Sequence, residues 1–187
     1  MSVRKLQSFH APSWQDLPDL GLYMDQVIGV LEKHLSVFFG DEKVLTSTMI
    51  NNYVKNRLLP PPVNKKYERS HLARLYQLCV FKSFMQLSDA ALLLGEVERG
   101  RTPEEAHERF CRALDGAVRE VFNRKAEPAP EKDPVEKALR AACVAAACIL
   151  RAGICFQEAQ LEEKPPEKRD KPKKEPKKKR ENEKKSS

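Results

Sequence analysis

Three observations predict a mainly α fold with a helical N-terminal unit, a helical C-terminal region and a disordered basic tail. Apolar residues recur at spacings of three and four along most of the 187 residues, while the alternating runs that mark strands are scarce. Prolines and capping residues punctuate the chain where those periodic stretches begin and end. From Glu162 to Ser187 no apolar side chain other than proline is present, so that stretch cannot offset the entropy of ordering.

The first helix is expected over about Leu20 to Phe39, where Leu20, Val27, Leu31, Leu35 and Phe38 share one face, with Gly40 as its stop. A second opens near Thr46 in LTSTMINNYVKN: Thr46, Ser47 and Thr48 all suit an N-cap, and Ile50, Tyr53 and Val54 supply an apolar stripe. Pro60, Pro61 and Pro62 then forbid helix and leave PPPVNKK extended or tightly turned. A third helix runs from about Arg69 to Phe84 and is apolar nearly all round at its middle, which marks a buried central helix. Ser88 is placed to cap a short helix, SDAALLLGEV, that stops near Gly95 or Gly100.

In RTPEE, Thr102 reads as N-cap, Pro103 as the first helical residue and Glu105 as the partner that completes a capping box. Ala106, Phe110, Ala113, Leu114, Ala117 and Val121 give this helix its inward face. AEPAPEKDP, Ala126 to Pro134, is a proline-rich linker, after which Asp133, Pro134 and Glu136 start a last helix through about Gln160. The expected organisation is an N-terminal arm over residues 1–16, a helical domain over 17–98, a helical hairpin over 99–161 and a disordered lysine-rich tail over 162–187.

The formal net charge of +7 is unevenly placed. The tail holds twelve Lys or Arg against seven Asp or Glu. From Lys43 to Arg74 seven cations (Lys43, Lys55, Arg57, Lys65, Lys66, Arg69 and Arg74) face Glu68 alone, a local +6 on an otherwise mildly acidic body. The N-terminus MSVRKLQSFHAPSW lacks the apolar run and cleavage pattern of a signal peptide. The longest uncharged apolar run, Ala141 to Leu150, has ten residues, half of the roughly 20 that cross a bilayer. Five cysteines without a CxxC pair suit reduced thiols. These features lead us to expect a cytoplasmic protein with no membrane segment.

The informative constellation lies between Val44 and Leu94. Ser47, Thr48, Asn51, Asn52, Lys55 and Asn56 give the second helix a polar face with almost no negative charge. Asn pairs bidentately with adenine in the major groove, and Ser and Thr hydroxyls suit phosphates or base edges. The helix N-terminus at Thr46 offers free N–H groups to a phosphate, and the following arm, with Lys65, Lys66 and Tyr67, is placed to lie along the backbone as a basic wing, with Arg57 and Arg69 as further expected DNA contacts. Taken singly, each of these residues is equally suited to an ordinary solvated face. Tyr53 and Tyr67 are expected to be partly core, and His71 to cap or to lie at the surface.

Their order resembles the winged helix-turn-helix of MerR-type regulators, in which a Thr/Ser-capped reading helix precedes a Leu-Leu-x-Pro turn, a basic wing and a helix beginning Tyr-x-x-x-Asp-Leu-x-Arg-Leu. TMINNYVKNRLLPPP corresponds to the first part and YERSHLARL, Tyr67 to Leu75, to the last. Asn51 and Asn52 stand where an Arg-Tyr pair is usual, Arg57 where glycine precedes Leu-Leu, and His71 where an acid is common. LPDLGLYMDQVIGVLEKHL together with TSTMINNYVKNRLLPPPVNKKYERSHLARL is similar to the bacterial domain-of-unknown-function family 1836, over roughly Leu17 to Leu94. The resemblance implies a MerR-like winged helix-turn-helix and a DNA-binding regulator with no established activity.

No Gly-rich phosphate loop, GxSxG or HExxH is present, and His10, His34, His71 and His107 are scattered, so no enzyme, metal site or cofactor is expected. Cys148 and Cys155 share a helical face, with Cys143 turned about 140° from Cys148. Cysteine among alanines more often fills a tight helix contact than holds a metal. Ala141, Ala142, Ala145 and Ala146 permit close approach of a helix of the same chain or of a second copy. The expected partners are therefore double-stranded DNA and, through the 134–160 helix, a second subunit. The mixed charge of the tail reads as solubilising. The function expected is a DNA-binding transcriptional regulator that reads DNA with the helix near 46–57 and a basic wing near 63–69. The alternative is a protein-interaction adaptor on the same scaffold without DNA binding.

Overall fold

The computed structural model describes residues 9–39, 43–122 and 133–162, with side chains to residue 155. The Gly40 helix stop, most of the proline-rich linker and the lysine-rich tail lie outside the described residues. Among these residues are six α-helices: α1 Met24–Phe39, α2 Ser47–Lys55, α3 Arg69–Phe81, α4 Leu87–Glu98, α5 Pro103–Phe122 and α6 Pro134–Glu162. A short 3-10 turn, Trp14–Asp16, precedes them. No strand is present among the described residues; two isolated antiparallel bridges, Leu22 with Tyr67 and Val63 with Lys66, are the only extended pairings there.

The first of those bridges corrects the start of α1. Leu22 N–H donates to the Tyr67 carbonyl at 2.9 Å and Tyr67 N–H to the Leu22 carbonyl at 2.8 Å, which holds Leu20 to Leu22 out of the helix. The Gln26 side chain then accepts from Tyr23 N–H at 2.9 Å and covers the helix end. Leu20, expected inside, is 64% exposed, while Val27, Leu31 and Leu35 are fully buried.

α3 is the centre of the bundle, as its all-round apolar middle implies: Leu72, Leu75, Tyr76, Leu78 and Phe81 are wholly buried, with α1 on one side and α4, α5 and α6 packed around the rest. It ends at Phe81, three residues short of Phe84, where Lys82 N–H closes on the Leu78 carbonyl at 2.9 Å. The Lys82 ammonium also donates to the Val44 carbonyl and ties the segment before α2 to this end. α4 begins at Leu87, so Ser88 falls inside its first turn and does not cap it. Gly100, with φ 69°, takes the left-handed conformation that reverses the chain after α4. The capping box of α5 forms as spaced: Glu105 N–H donates to Thr102 Oγ1 at 3.2 Å, and Thr102 N–H to Glu105 Oε2 at 2.9 Å.

The expected C-terminal hairpin is not what forms. Arg109, in the first half of α5, bonds Asp133 at 2.7 Å and Glu136 at 3.2 Å at the start of α6. The far end of α5 meets residues further along α6, Glu120 with Arg140 at 2.6 Å and the Val121 carbonyl with Arg151 at 2.6 Å. The two helices therefore run in the same sense, where a hairpin would bring the end of α5 to the start of α6.

One apolar core runs through both sides of the expected boundary near residue 98. Tyr76 and Phe110 meet edge to face at 6.1 Å, and Phe110 and Phe81 at 5.4 Å, which joins α3 to α5. Burying each such ring contributes about 2–3 kcal/mol. Over Pro134–Cys155, α6 has the length and a mean hydropathy of 1.8 that suit a bilayer-crossing helix. Leu139, Ala142, Cys143, Ala146 and Ala147 are nevertheless buried in the bundle, and a core helix passes the same test of length and composition.

The arm before α1 is strapped to α5. Ala11 N–H donates to Asp115 and Trp14 N–H to Glu108, both at 2.7 Å. His107 Nε2 donates to the Pro12 carbonyl at 2.8 Å and its Nδ1 accepts from Gln77 at 3.2 Å, an arrangement that needs the neutral ring. Burial lowers the pKa of His107 below the usual histidine value and keeps it neutral.

Candidate nucleic-acid interface

α2 is a nine-residue helix with a clear division of faces. Thr46 caps it, accepting from Met49 N–H at 3.2 Å, so the N–H groups of Ser47 and Thr48 have no partner within the helix. Ile50 and Tyr53 point into the core. Burial and the nearby Cys79 push the Tyr53 hydroxyl up to about 12. Ser47, Thr48, Asn51, Asn52, Lys55 and Asn56 are all exposed, as their spacing predicts.

The helix stops through two crossed bonds, Arg57 N–H to the Val54 carbonyl at 3.1 Å and Leu58 N–H to the Tyr53 carbonyl at 2.9 Å. This closure needs a left-handed residue where the bonds cross, a place that glycine fills at least cost. Here Arg57 fills it, with φ 59°.

The expected basic wing is a tight turn rather than a pair of strands. Val63 and Lys66 exchange N–H···O bonds at 3.1 and 2.9 Å around Asn64 and Lys65, whose φ values of 51° and 63° make a two-residue hairpin turn with both central residues left-handed. The turn is seated against residue 21, where a Cβ would come within 3.0 Å of Lys66 Cβ; only glycine fits without displacing the lysine. The Lys66 ammonium lies 5.6 Å from the centre of the Tyr23 ring.

Not every expected contact residue faces outward. Tyr67 is only 3% exposed, its ring edge-on to His71 at 5.6 Å, so it packs the base of the turn and offers no surface to a ligand. His71 itself is buried and caps α3 by accepting from Glu68 N–H at 3.0 Å, which corrects the surface alternative. Arg69 is half-buried: its guanidinium sits 5.6 Å from the Trp14 ring centre, 3.4 Å from Gln15 and 3.5 Å from Asp19. Arg74 is turned inward onto Glu98 at 2.8 Å. Lys43, Lys55, Arg57, Lys65 and Lys66 remain exposed and make no ion pair among the described residues. The positive face is thus smaller than a count of charges implies, and no carboxylate among the described residues pairs with its cations.

The arm contacts, the left-handed backbone at Arg57 and Lys65, and the role of Gly21 lie beyond what the sequence pattern predicts. In sequence, the one sign of the second is that Arg57 stands where the MerR-type pattern has glycine. No three His, Cys, Asp or Glu side chains among the described residues group as metal ligands. Cys79, Cys111 and Cys143 are buried, with Cys79 pushed up to about 11 by burial, and Cys148 and Cys155 are exposed.

No curated protein and no solved structure matches the chain. Residues 12–110, from the strapped arm to the core ring of Phe110, match the family described as Domain of unknown function (DUF1836), and with more than half its length covered the chain belongs to the DUF1836 family.

Proposed function

We propose that α1, α2 and the Val63–Lys66 turn form a winged helix-turn-helix of MerR type, with the turn as a rudimentary wing, and that the chain is a cytoplasmic DNA-binding transcriptional regulator. The observation that carries this reading is the left-handed backbone at Arg57 and Lys65. A side chain there costs about 1–2 kcal/mol relative to glycine, and neither cation gains an ion-pair partner among the described residues in return. Strain of that kind persists where an external contact uses it, and a phosphate backbone is the anion whose spacing suits several unpaired cations. In this reading Asn51, Asn52 and Lys55 face base edges, and Ser47, Thr48, Arg57, Lys65 and Lys66 hold phosphates. No catalytic step and no cofactor is assigned.

Pairing of two copies completes the proposal. The outer face of α6 exposes Ile149, Cys148 and Ala152, and a two-fold dimer through it doubles the phosphate contacts.

If six phosphates are engaged, the logarithm of affinity for genomic fragments falls with the logarithm of salt with a slope of about −5. Fluorescence anisotropy across salt, repeated with Lys65→Ala plus Lys66→Ala, checks it: the double variant should show a slope shallower by about 2. Absence of binding at low salt, or an unchanged slope, would sink the reading.

A second reading, a protein-interaction adaptor on this scaffold, is favoured by one observation. Leu20, Tyr23 and Val63 are exposed large apolar side chains beside Lys66. A pull-down that recovers one stoichiometric protein regardless of nuclease selects it.

A further inference from the structure

An open cavity of about 540 Å³ lies between the end of α2, the Leu58–Pro61 turn, the first turn of α3 and the junction of α4 with α5. That volume falls within the range of small-molecule sites. Its walls are apolar, formed by Val54, Leu58, Leu59, Pro60, Pro61 and Pro103.

The polar groups divide into a floor and a rim. Arg74 spends all three guanidinium nitrogens internally, Nη1 on Glu98 at 2.8 Å, Nη2 on the Ala91 carbonyl at 3.2 Å and Nε on the Leu58 carbonyl at 3.4 Å. Arg74 and Glu98 therefore cancel. Arg101 donates through Nη1 to the Val97 and Arg99 carbonyls at 3.2 and 3.1 Å, and among the described residues Nε and Nη2 have no hydrogen-bond acceptor. Arg57 makes no side-chain bond among the described residues. Ser70, at the second position of α3, adds a hydroxyl and an N–H without an intrahelical acceptor. Two guanidinium groups thus line apolar walls without a close carboxylate pair among the described residues, although the Asp133 carboxylate lies within electrostatic reach of Arg101.

We propose that this cavity binds a small organic carboxylate, its apolar body against Leu58 and the prolines and its carboxylate between Arg57 and Arg101. Guanidinium groups match a carboxylate with two parallel N–H···O bonds. A bare inorganic anion fits less well, because it leaves the apolar walls in water. The site stands independently of the DNA reading. Only its regulatory consequence rests on that reading: a bound carboxylate and a DNA phosphate compete for Arg57, so each weakens the other by the same factor.

Calorimetric titration of the full chain with naphthoate, with no DNA present, tests the site. The expected result is saturable binding with a Kd below about 1 mM. Naphthamide, inorganic phosphate and the variants Arg57→Gln and Arg101→Gln should each weaken binding about tenfold or more. Arg119→Gln, an exposed arginine elsewhere on α5, should leave it unchanged. Arg57→Gln breaks no internal bond, so its result does not depend on how well Arg101→Gln folds. No saturable heat up to about 10 mM naphthoate, or equal binding by Arg57→Gln, overturns the site. Naphthoate binding in a chain that ignores DNA would retain the cavity and dismiss the regulator.

Discussion

On the α5–α6 pair, the inward arginines have partners. Arg109 is clamped by Asp133 and Glu136, and Arg140 by Glu120. On α2 and the turn that follows, the lysines and Arg57 have no carboxylate partner among the described residues, and two of them sit on strained backbone. Both regions belong to one molecule with one core, so the contrast is not a matter of stability in general. A buried charge must be matched inside the chain or it destabilises the fold. An exposed charge carries no such requirement and is left for something outside. The difference teaches which cations serve the bundle and which are available to a partner.

Removing Phe110, the ring shared by Tyr76 and Phe81, should break the paired region outright. Phe110→Ala is expected to cost about 3–5 kcal/mol in chemical denaturation, far more than any change on the exposed face. Next in size is a pH effect confined to the body. The pKa of His107 is lowered by burial, so in the unfolded chain it returns to about 6.5. Below that pH the unfolded chain takes up a proton that the folded one refuses. Its contribution is full above about pH 6.5 and is lost as pH falls through the lowered folded value. His34, also lowered mainly by burial, acts in the same sense. Stability measured from pH 7.5 down to 5 should therefore fall, and His107→Gln should flatten the decline while keeping an N–H donor for the Pro12 carbonyl.

The smallest change should sharpen the contrast most. Arg57→Gly relieves a left-handed arginine and should raise stability by up to about 1 kcal/mol, while weakening whatever anion the exposed face holds. A melting temperature that falls, or anion binding that is unaffected, would remove the case for strain retained for contact.

What the sequence made legible was local. The Thr46 cap, the Thr102–Glu105 box and the inward set of Ala106, Phe110, Leu114 and Ala117 all depend on residues three or four apart, and all form as read. The family was legible for a related reason, because its strings lie in one continuous stretch. Less legible was anything set by distant partners. Leu20 leaves the helix because Leu22 pairs with Tyr67, forty-five positions on. Arg69 and Arg74 count as basic in sequence and turn inward in space, drawn to Asp19 and Glu98. The cavity is illegible in the sequence because its walls come from three separate stretches, 54–61, 70–74 and 98–103. Parallel packing of α5 and α6 was hidden too, since it is set by pairs twenty or more positions apart, Arg109 with Asp133 and Glu120 with Arg140.

The strap between the arm and α5 has a consequence for the order of assembly. Pro12 and His107 are 95 positions apart, and closing a loop of that length costs about 4 kcal/mol in its length-dependent part. The stop of α2, by contrast, closes within five residues. In kinetic terms the bonds that stop the helix need only local closure, while the strap locks only after α3 and α5 have met and Gln77 has reached His107. Because Arg69 is held by Trp14 and Asp19, the approach to the basic turn is secured at that late step. A partner therefore meets a fully ordered face only on a completely assembled bundle.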